Sequence, residues 1–476
     1  MGTPLRGVNI AGAEVAYDPA VVPVEGENYI WMSLRDINYL ADNGVPFIRI
    51  TFSWELAQPE LNGELSLDGY FGVLLNRVRY ATAKGLTVMI EPHGGTYPNF
   101  ARYKGDPVGS AAVPADSFGG FWSKVETALS DCPTAVFGLS NEPNGMSTTG
   151  WFTAAAAAVE AVHGINSERQ IFICGNGFSQ PASWQESWYD TDDTQVSNAS
   201  AWSQHLAGAD NVVASVHTYF DSGGDGSGDD VVNPDIIRQR LEPAVAWASA
   251  SGVQLHLTEF GANQATPGAA QAVTNALEYL DAHDDVVIGW SWWTYGAPAW
   301  WAGYHFTLSP TQDYTVDNPK LAWLQPHFVA PAPQPTIRPW LSNATAPPDD
   351  RNPFIARVKV KPGMYAGIGE GTYSVRVRIR TTHSDADTFC VAVVLENPND
   401  GVEIDWHHIT IDLRGHTLID WWDADVVGTT GWVTASPSDQ GRVIGAHNKT
   451  SFGLCLKRDD TPLRADEQIR VKDLQW

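Results

Sequence analysis

The chain has 476 residues, 43% of them hydrophobic, and a formal charge of −26. It is too long for one ordinary core, so two domains are the default, and no apolar run approaches the roughly 20 residues that a membrane helix needs. The charge is uneven, with 14 Lys+Arg against 38 Asp+Glu in residues 1–350 and 15 against 17 in residues 351–476; the front part repels nucleic acid, which leaves a neutral ligand as its natural partner.

Eight short segments, apolar or β-branched and mostly closed by a polar residue or Gly, read as strands: 5–12, 47–55, 87–93, 136–142, 171–177, 211–220, 254–261 and 287–296. Stretches of helical period or composition lie between most of them, at 32–43, 69–84, 118–129, 151–166, 234–251 and 267–282. This alternation predicts an α/β fold, a (β/α)8 TIM barrel over residues 1–328, with its chemistry in the loops after the strands. The run DSGGDGSGDD after Phe220 lacks the ligand spacing of a calcium loop and reads as a solvated loop. Residues 329–353 are too rich in Pro for regular structure and read as a stiff linker. Beyond them, TYSVRVRIRT, TFCVAVVLEN, WHHITIDL and SFGLCLKR alternate apolar with polar, which predicts a β-sandwich over 354–476. Cys132, Cys174, Cys390 and Cys455 show no metal spacing; the last two lie in strand-like runs of the C-terminal part and are the preferred pair if any is bridged.

The stretch VFGLSNEP, 136–143, carries the strongest functional signal. Stepping back by two from Glu142 reaches Ser140 and Gly138, while Phe137 and Leu139 share the other face, as in a barrel strand with small residues inside and a polar group at the mouth. A second strand, QLHLTEFG, also ends in a glutamate, Glu259. Two carboxylates on separate strand ends suit glycoside hydrolysis, whose oxocarbenium-like transition state needs an acid on one side and a carboxylate on the other. Other strand ends supply Arg49, His93, Asn141, His217, Tyr219 and Trp292 or Trp293. Twenty Trp is a high count, and flat aromatic faces suit sugar rings as readily as cores; Trp54, Trp300 and Trp301 are candidate sugar platforms on the loops, with Tyr97 and Trp184 as weaker ones.

Through GVNIAG, the Arg of FIRITFSWE, NEP, HTY and TEFG, residues 5–328 resemble glycoside hydrolase family 5, and within it the endo-β-1,4-glucanases. The resemblance implies Glu142 as acid/base, Glu259 as nucleophile, Arg49 and Tyr219 as its hydrogen-bond partners, Asn141 at the sugar 2-hydroxyl, and His93 and His217 as pocket histidines. For the platform under the reacting sugar, Trp293 is favoured because it shares parity with Gly289 and Ser291. It further implies retention of configuration, no cofactor or metal, and an extracellular monomer acting on a β-glucan, although no secretory signal precedes the first strand. The same mechanism on mannan, xyloglucan, β-1,3-glucan or a bacterial exopolysaccharide remains open at this point, as does a non-catalytic carbohydrate-binding barrel. DWHHITIDLRGHTLIDWWDADV and SFGLCL resemble carbohydrate-binding module family 2, which implies a buried core Trp at Trp406 and binding aromatics at Trp422 and Tyr365.

Overall fold

The computed structural model describes residues 4–328 except 15–22, 68, 95–99, 131 and 193, and beyond them most of 371–457 with short strands on either side. Eight parallel strands close into a barrel: β1 Leu5–Ile10, β2 Phe47–Phe52, β3 Thr87–Pro92, β4 Val136–Gly138, β5 Ile171–Cys174, β6 Val212–His217, β7 Gln254–Phe260 and β8 Val287–Tyr295. The helices of eight or more residues are α1 Leu34–Asp42, α2 Tyr70–Ala83, α3 Ala115–Ala128, α4 Thr148–His163, α5 Asn198–His205, α6 Ile236–Ser251 and α7 Ala269–Asp281. The six expected helices are present; α5, capped by Ser197, has only eight residues and no strong period to announce it. Ser33 and Asp36 close a capping box on α1, which satisfies two of the orphan N–H groups at that end.

Strand parity sorts the side chains. Outward residues such as Ile48, Ile50, Val88, Ile90, Phe137, Leu139, Ile171 and Ile173 belong to one core with the helices. Inward residues fill the lumen in tiers. The lowest is an apolar plug of Phe47, Met89, Val136, Phe172 and Val213, against which His256 packs. Burial holds the His256 pKa down to about 3, so its neutral ring donates from Nε2 to the Leu5 carbonyl at 2.9 Å. The next tier holds Arg49 and Glu91, both inaccessible to solvent. Space for Glu91 comes from Gly138, where a Cβ would stand 2.4 Å from Glu91 Oε1. Gly138→Ala is therefore expected to displace that carboxylate and cost about 1–3 kcal/mol as overpacking, read as a lowered thermal-unfolding midpoint; an unchanged midpoint would refute the tight fit.

One irregularity re-aims a functional residue. Strict alternation along β7 would send Glu259 outward with Leu255 and Leu257. Pairing with β6 slips between Val216, opposite Leu257, and His217, opposite Glu259, and this bulge leaves Glu259 facing the lumen at the barrel mouth.

A second compact unit begins after residue 331. Two short strands inside the stretch expected to be linker, Thr336–Ile337 and Trp340–Ser342, pair with distant strands of this unit, so part of that stretch is sheet. The unit contains a nine-stranded sheet, including β9 Gly371–Ser384, β10 Thr388–Glu396, β11 His408–Trp422 and β12 Lys449–Lys457. A three-stranded sheet lies in the same unit. Both contribute to a separate apolar core that includes Val393, Leu454, Ile404 and Ile444. Trp406, 1% exposed, stacks there on Phe452. Cys390 and Cys455 face each other across β10 and β12 and are bridged, the pairing preferred from the sequence; Cys132 and Cys174 are buried and not bridged.

Candidate active site

Two carboxylates meet at the barrel mouth in unlike surroundings. Glu259, 4% exposed, accepts from Arg49 Nη1 at 2.6 Å on Oε1 and from the Tyr219 hydroxyl at 2.7 Å on Oε2. Glu142 lies in the loop just beyond β4, with a left-handed backbone at φ 37°, a conformation that a non-glycine residue holds only where its surroundings impose it. Its Oε1 is 2.8 Å from His217 Nδ1, and the same nitrogen is 3.7 Å from Glu259 Oε2. An oxygen of each carboxylate and a His217 nitrogen all fall within 4.8 Å of one another.

Charges below the site fix these states. Arg49 is a hub: besides Glu259 it donates to Glu91 from Nε, to Asn9 Oδ1 at 2.7 Å and to Asn141 Oδ1 at 2.6 Å. Asn9 is held in turn by the carbonyls of Thr258 and Ser291 at 2.9 and 3.1 Å. Burial alone would raise the Glu259 pKa, but the charges of His217, Arg49 and His93, with the Tyr219 hydroxyl, outweigh it and hold the pKa at about 2. Burial would lower that of His217; Glu259, Cys174 and Glu142 reverse this and raise it well above 6.5. The site therefore holds an ionised Glu259 beside an imidazolium. Because folding depresses the Glu259 pKa from 4.5, its stabilisation is present above about 4.5 and is lost as pH falls toward about 2. Between those values, the wild-type unfolding midpoint is expected to fall more steeply than that of Glu259→Gln; parallel slopes would contradict the assignment. His217 acts oppositely: its stabilisation is complete below 6.5 and is lost as pH rises through its raised value.

The structure brings Arg49, Asn141, Glu142, His217, Tyr219 and Glu259 into one network and sets His93 beside it. His93 stacks on Trp293, with ring centroids 5.5 Å apart. Trp293 is half-buried and the peptide bond that follows it is cis, whereas Trp292 is fully buried in the outer core. Asn141 Oδ1 is turned to Arg49, which leaves Nδ2 buried without a partner. Trp301 is half-buried, with its indole lying over Gly296 at the end of β8, and Trp300 is 43% exposed. Trp54 is a correction: it is 3% exposed and wedged between Tyr103, Phe118 and Phe121, with no face left for a sugar. Trp184, at 0%, is likewise core. Tyr97 and Tyr365 lie outside the described residues.

Sequence reasoning passed over Asn9, Glu91 and Cys174, although each shares the inward parity of its strand. Cys174 Sγ lies 3.8 Å from His217 Nε2 and 4.0 Å from Glu91 Oε1. The Asp-rich loop is largely exposed, as expected, and is tied down at its base: Asp221, 2% exposed, accepts from the Gly226 amide, and Arg240 donates to the Tyr219 carbonyl at 2.6 Å. Glu142, His217 and Glu259 form the closest grouping of metal-ligand types among the described residues. Both oxygens of Glu259 already accept hydrogen bonds, one from a guanidinium, so a cation there would sit against Arg49; the donor set does not fit a metal.

Residues 8–296 match the family model Cellulase (glycosyl hydrolase family 5). The chain belongs to glycosyl hydrolase family 5. Endo-beta-1,4-glucanase A of Emericella nidulans is 31% identical over 325 residues, 68% of this chain and 92% of that relative. Endoglucanase gh5-1 of Neurospora crassa is 29% identical, over 67% of this chain and 77% of its own. Among solved structures, XacCel5A in complex with cellopentaose is 29% identical with a TM-score of 0.62, covering 68% of this chain and 99% of that one. Pseudomonas stutzeri endoglucanase Cel5A in complex with cellobiose is 28% identical with a TM-score of 0.57, covering 69% and 93%. This family 5 protein is thus a glycoside hydrolase of cellulase type; the family match leaves its C-terminal unit outside.

Proposed function

We propose that this enzyme cuts internal β-1,4 bonds of a glucan by double displacement with retention, with Glu259 as nucleophile and Glu142 as acid/base. The observation that carries the reading is the approach of two carboxylates to within 4.8 Å at one barrel mouth. Retaining enzymes hold the pair about 5–5.5 Å apart, and inverting ones leave room for a water at roughly 6.5–9.5 Å. Their surroundings divide the labour. Glu259 is kept ionised by Arg49 and Tyr219 and attacks the anomeric carbon, while Glu142 protonates the departing oxygen and then takes a proton from the incoming water. Asn141 Nδ2, which lacks a protein partner, is a donor for the sugar 2-hydroxyl, and Trp293 offers a flat face to the ring that reacts.

The relatives named endo-β-1,4-glucanase support the glucan as substrate. A polymer that cannot enter a cell and a disulfide at Cys390–Cys455, of the kind that persists in oxidising surroundings, support action outside the cell. Proton NMR of the first products from a soluble cello-oligosaccharide is expected to show the β-anomer before mutarotation; early α-anomer would overturn the mechanism. Viscosity of carboxymethyl cellulose is expected to drop before much reducing sugar appears. The C-terminal unit is read as a carbohydrate-binding sandwich, on the support of its exposed Trp422, 39% accessible.

A further inference from the structure

Over β9 to β12, the described residues on the outer face of the nine-stranded sheet have a charge opposite to that of the chain as a whole. Across β9, β10 and β12, one set of alternate residues, among them Val377, Val393 and Leu454, points into the core; the other set faces solvent. On β9 the outward set includes Arg376, Arg378 and Arg380, and on β12 its ends are Lys449 and Lys457, both exposed. On β9 to β12 the described acids of this face are Glu396, which lies 3.5 Å from Arg378, and Asp420, opposite Cys455. Five cations thus stand against two acids in a chain of formal charge −26.

Between the arginine row and Trp422 the outward positions are small, Ala392 on β10 opposite Gly453 on β12. Trp422, directly opposite Gly453, lies flat on it: a Cβ there would meet the indole at 1.8 Å. One ring face is therefore pressed to the sheet and the other is open, level with a floor that no large side chain interrupts. A flat aromatic face takes a sugar ring, and a row of guanidinium groups takes carboxylates as forked hydrogen-bonded pairs.

We propose that this face binds a polysaccharide that carries carboxylate groups, with Trp422 under a sugar ring and the Arg376–Arg378–Arg380 row paired to the acids. The proposal rests on reading the unit as glycan-binding and adds the charge class of the glycan.

Affinity electrophoresis of the full chain tests it, with every protein carrying Glu259→Gln so that no polymer is cut. Gels contain carboxymethyl cellulose, polygalacturonate or neutral hydroxyethyl cellulose. The parent is expected to be retarded by both polyanions, and salt should weaken the effect. Arg376→Gln/Arg378→Gln/Arg380→Gln should bind them roughly tenfold more weakly, the scale of a few exposed ion pairs. Trp422→Ala should weaken retention on all three polymers. Arg376→Gln/Arg380→Gln keeps the Arg378–Glu396 pair and should show a smaller loss in the same direction, which guards against misfolding. In an otherwise wild-type chain, the triple variant should hydrolyse a soluble cello-oligosaccharide at the normal rate. Undiminished retention of the triple variant on the polyanions would overturn the proposal, as would retention of the parent by duplex DNA as strong as by polygalacturonate. Hydroxyethyl cellulose reports on the glycan reading alone, so the two readings can fail separately.

Discussion

Glu259→Gln is expected to lower kcat on carboxymethyl cellulose by about 10⁴-fold or more, with little change in KM. The amide has nearly the carboxylate's shape but neither its charge nor its nucleophilicity, and it meets Arg49 Nη1 at a position where an anion accepts at 2.6 Å. Glu142→Gln is expected to fail in a different way. Its loss on the polymer should be comparable, yet an aryl cellobioside with an acidic phenol should be spared in the first step, because such a leaving group departs without a proton. Stopped-flow release of the phenol then separates the roles: a burst followed by slow turnover in Glu142→Gln, and no burst in Glu259→Gln. If Glu259→Gln retained activity within tenfold of the wild type, the assignment of the nucleophile would be wrong.

Arg49→Leu is expected to destabilise the barrel by about 3–5 kcal/mol, because it leaves buried carboxylates without their cation. Glu91 and Glu259 both depend on Arg49, whose side chain is wholly inaccessible, and Asn9 and Asn141 lose a donor at the same time. Arg49→Lys keeps the charge but cannot present the fork that reaches four side chains together. It should recover part of the stability and little of the activity. Thermal unfolding and kcat/KM on a cello-oligosaccharide check the two halves separately, and an Arg49→Leu barrel as stable as the wild type would show that the lumen network contributes nothing.

Much of this was legible from the chain because barrel strands mark themselves twice, by β-branched runs and by a polar group where each run meets the mouth. Glu142 was found by its place just past a strand, but parity does not set its aim: β4 ends at Gly138, Glu142 has a left-handed backbone, and Asn141, of opposite parity, also turns to Arg49. Trp293 was separable from Trp292 by alternation along β8. Glu259 was found by its place at a strand end, but its inward aim depends on the slip between β6 and β7, a matter of pairing with a neighbour that no local pattern records. Glu91 was missed although the signal existed: Met89, Glu91 and His93 share one face of β3, and a carboxylate in that row has to meet a partner inside the barrel. Trp54 was misplaced because aromatic identity and proximity to a strand end do not say whether a ring turns to the cleft or to the helices; Tyr103, Phe118 and Phe121, distant in sequence, decide it. The short strands within the Pro-rich stretch owe their existence to partners such as Glu403–Asp405 and Arg470–Gln475, too remote for composition to foresee.

The presence of Glu91 beneath the site changes what happens to Arg49 as the reaction proceeds. In the double displacement proposed above, bonding of the sugar to Glu259 would turn that residue into a neutral ester, no longer a counter-ion. In a lumen with one carboxylate, the buried guanidinium would then be left without an anion, and forming the intermediate would be opposed by its own scaffold. With Glu91 bound to Arg49 through two nitrogens, the cation keeps a resident anion through every turnover. Glu259, in the role proposed for it, would thereby give up its charge and take it back without the interior of the barrel having to rearrange.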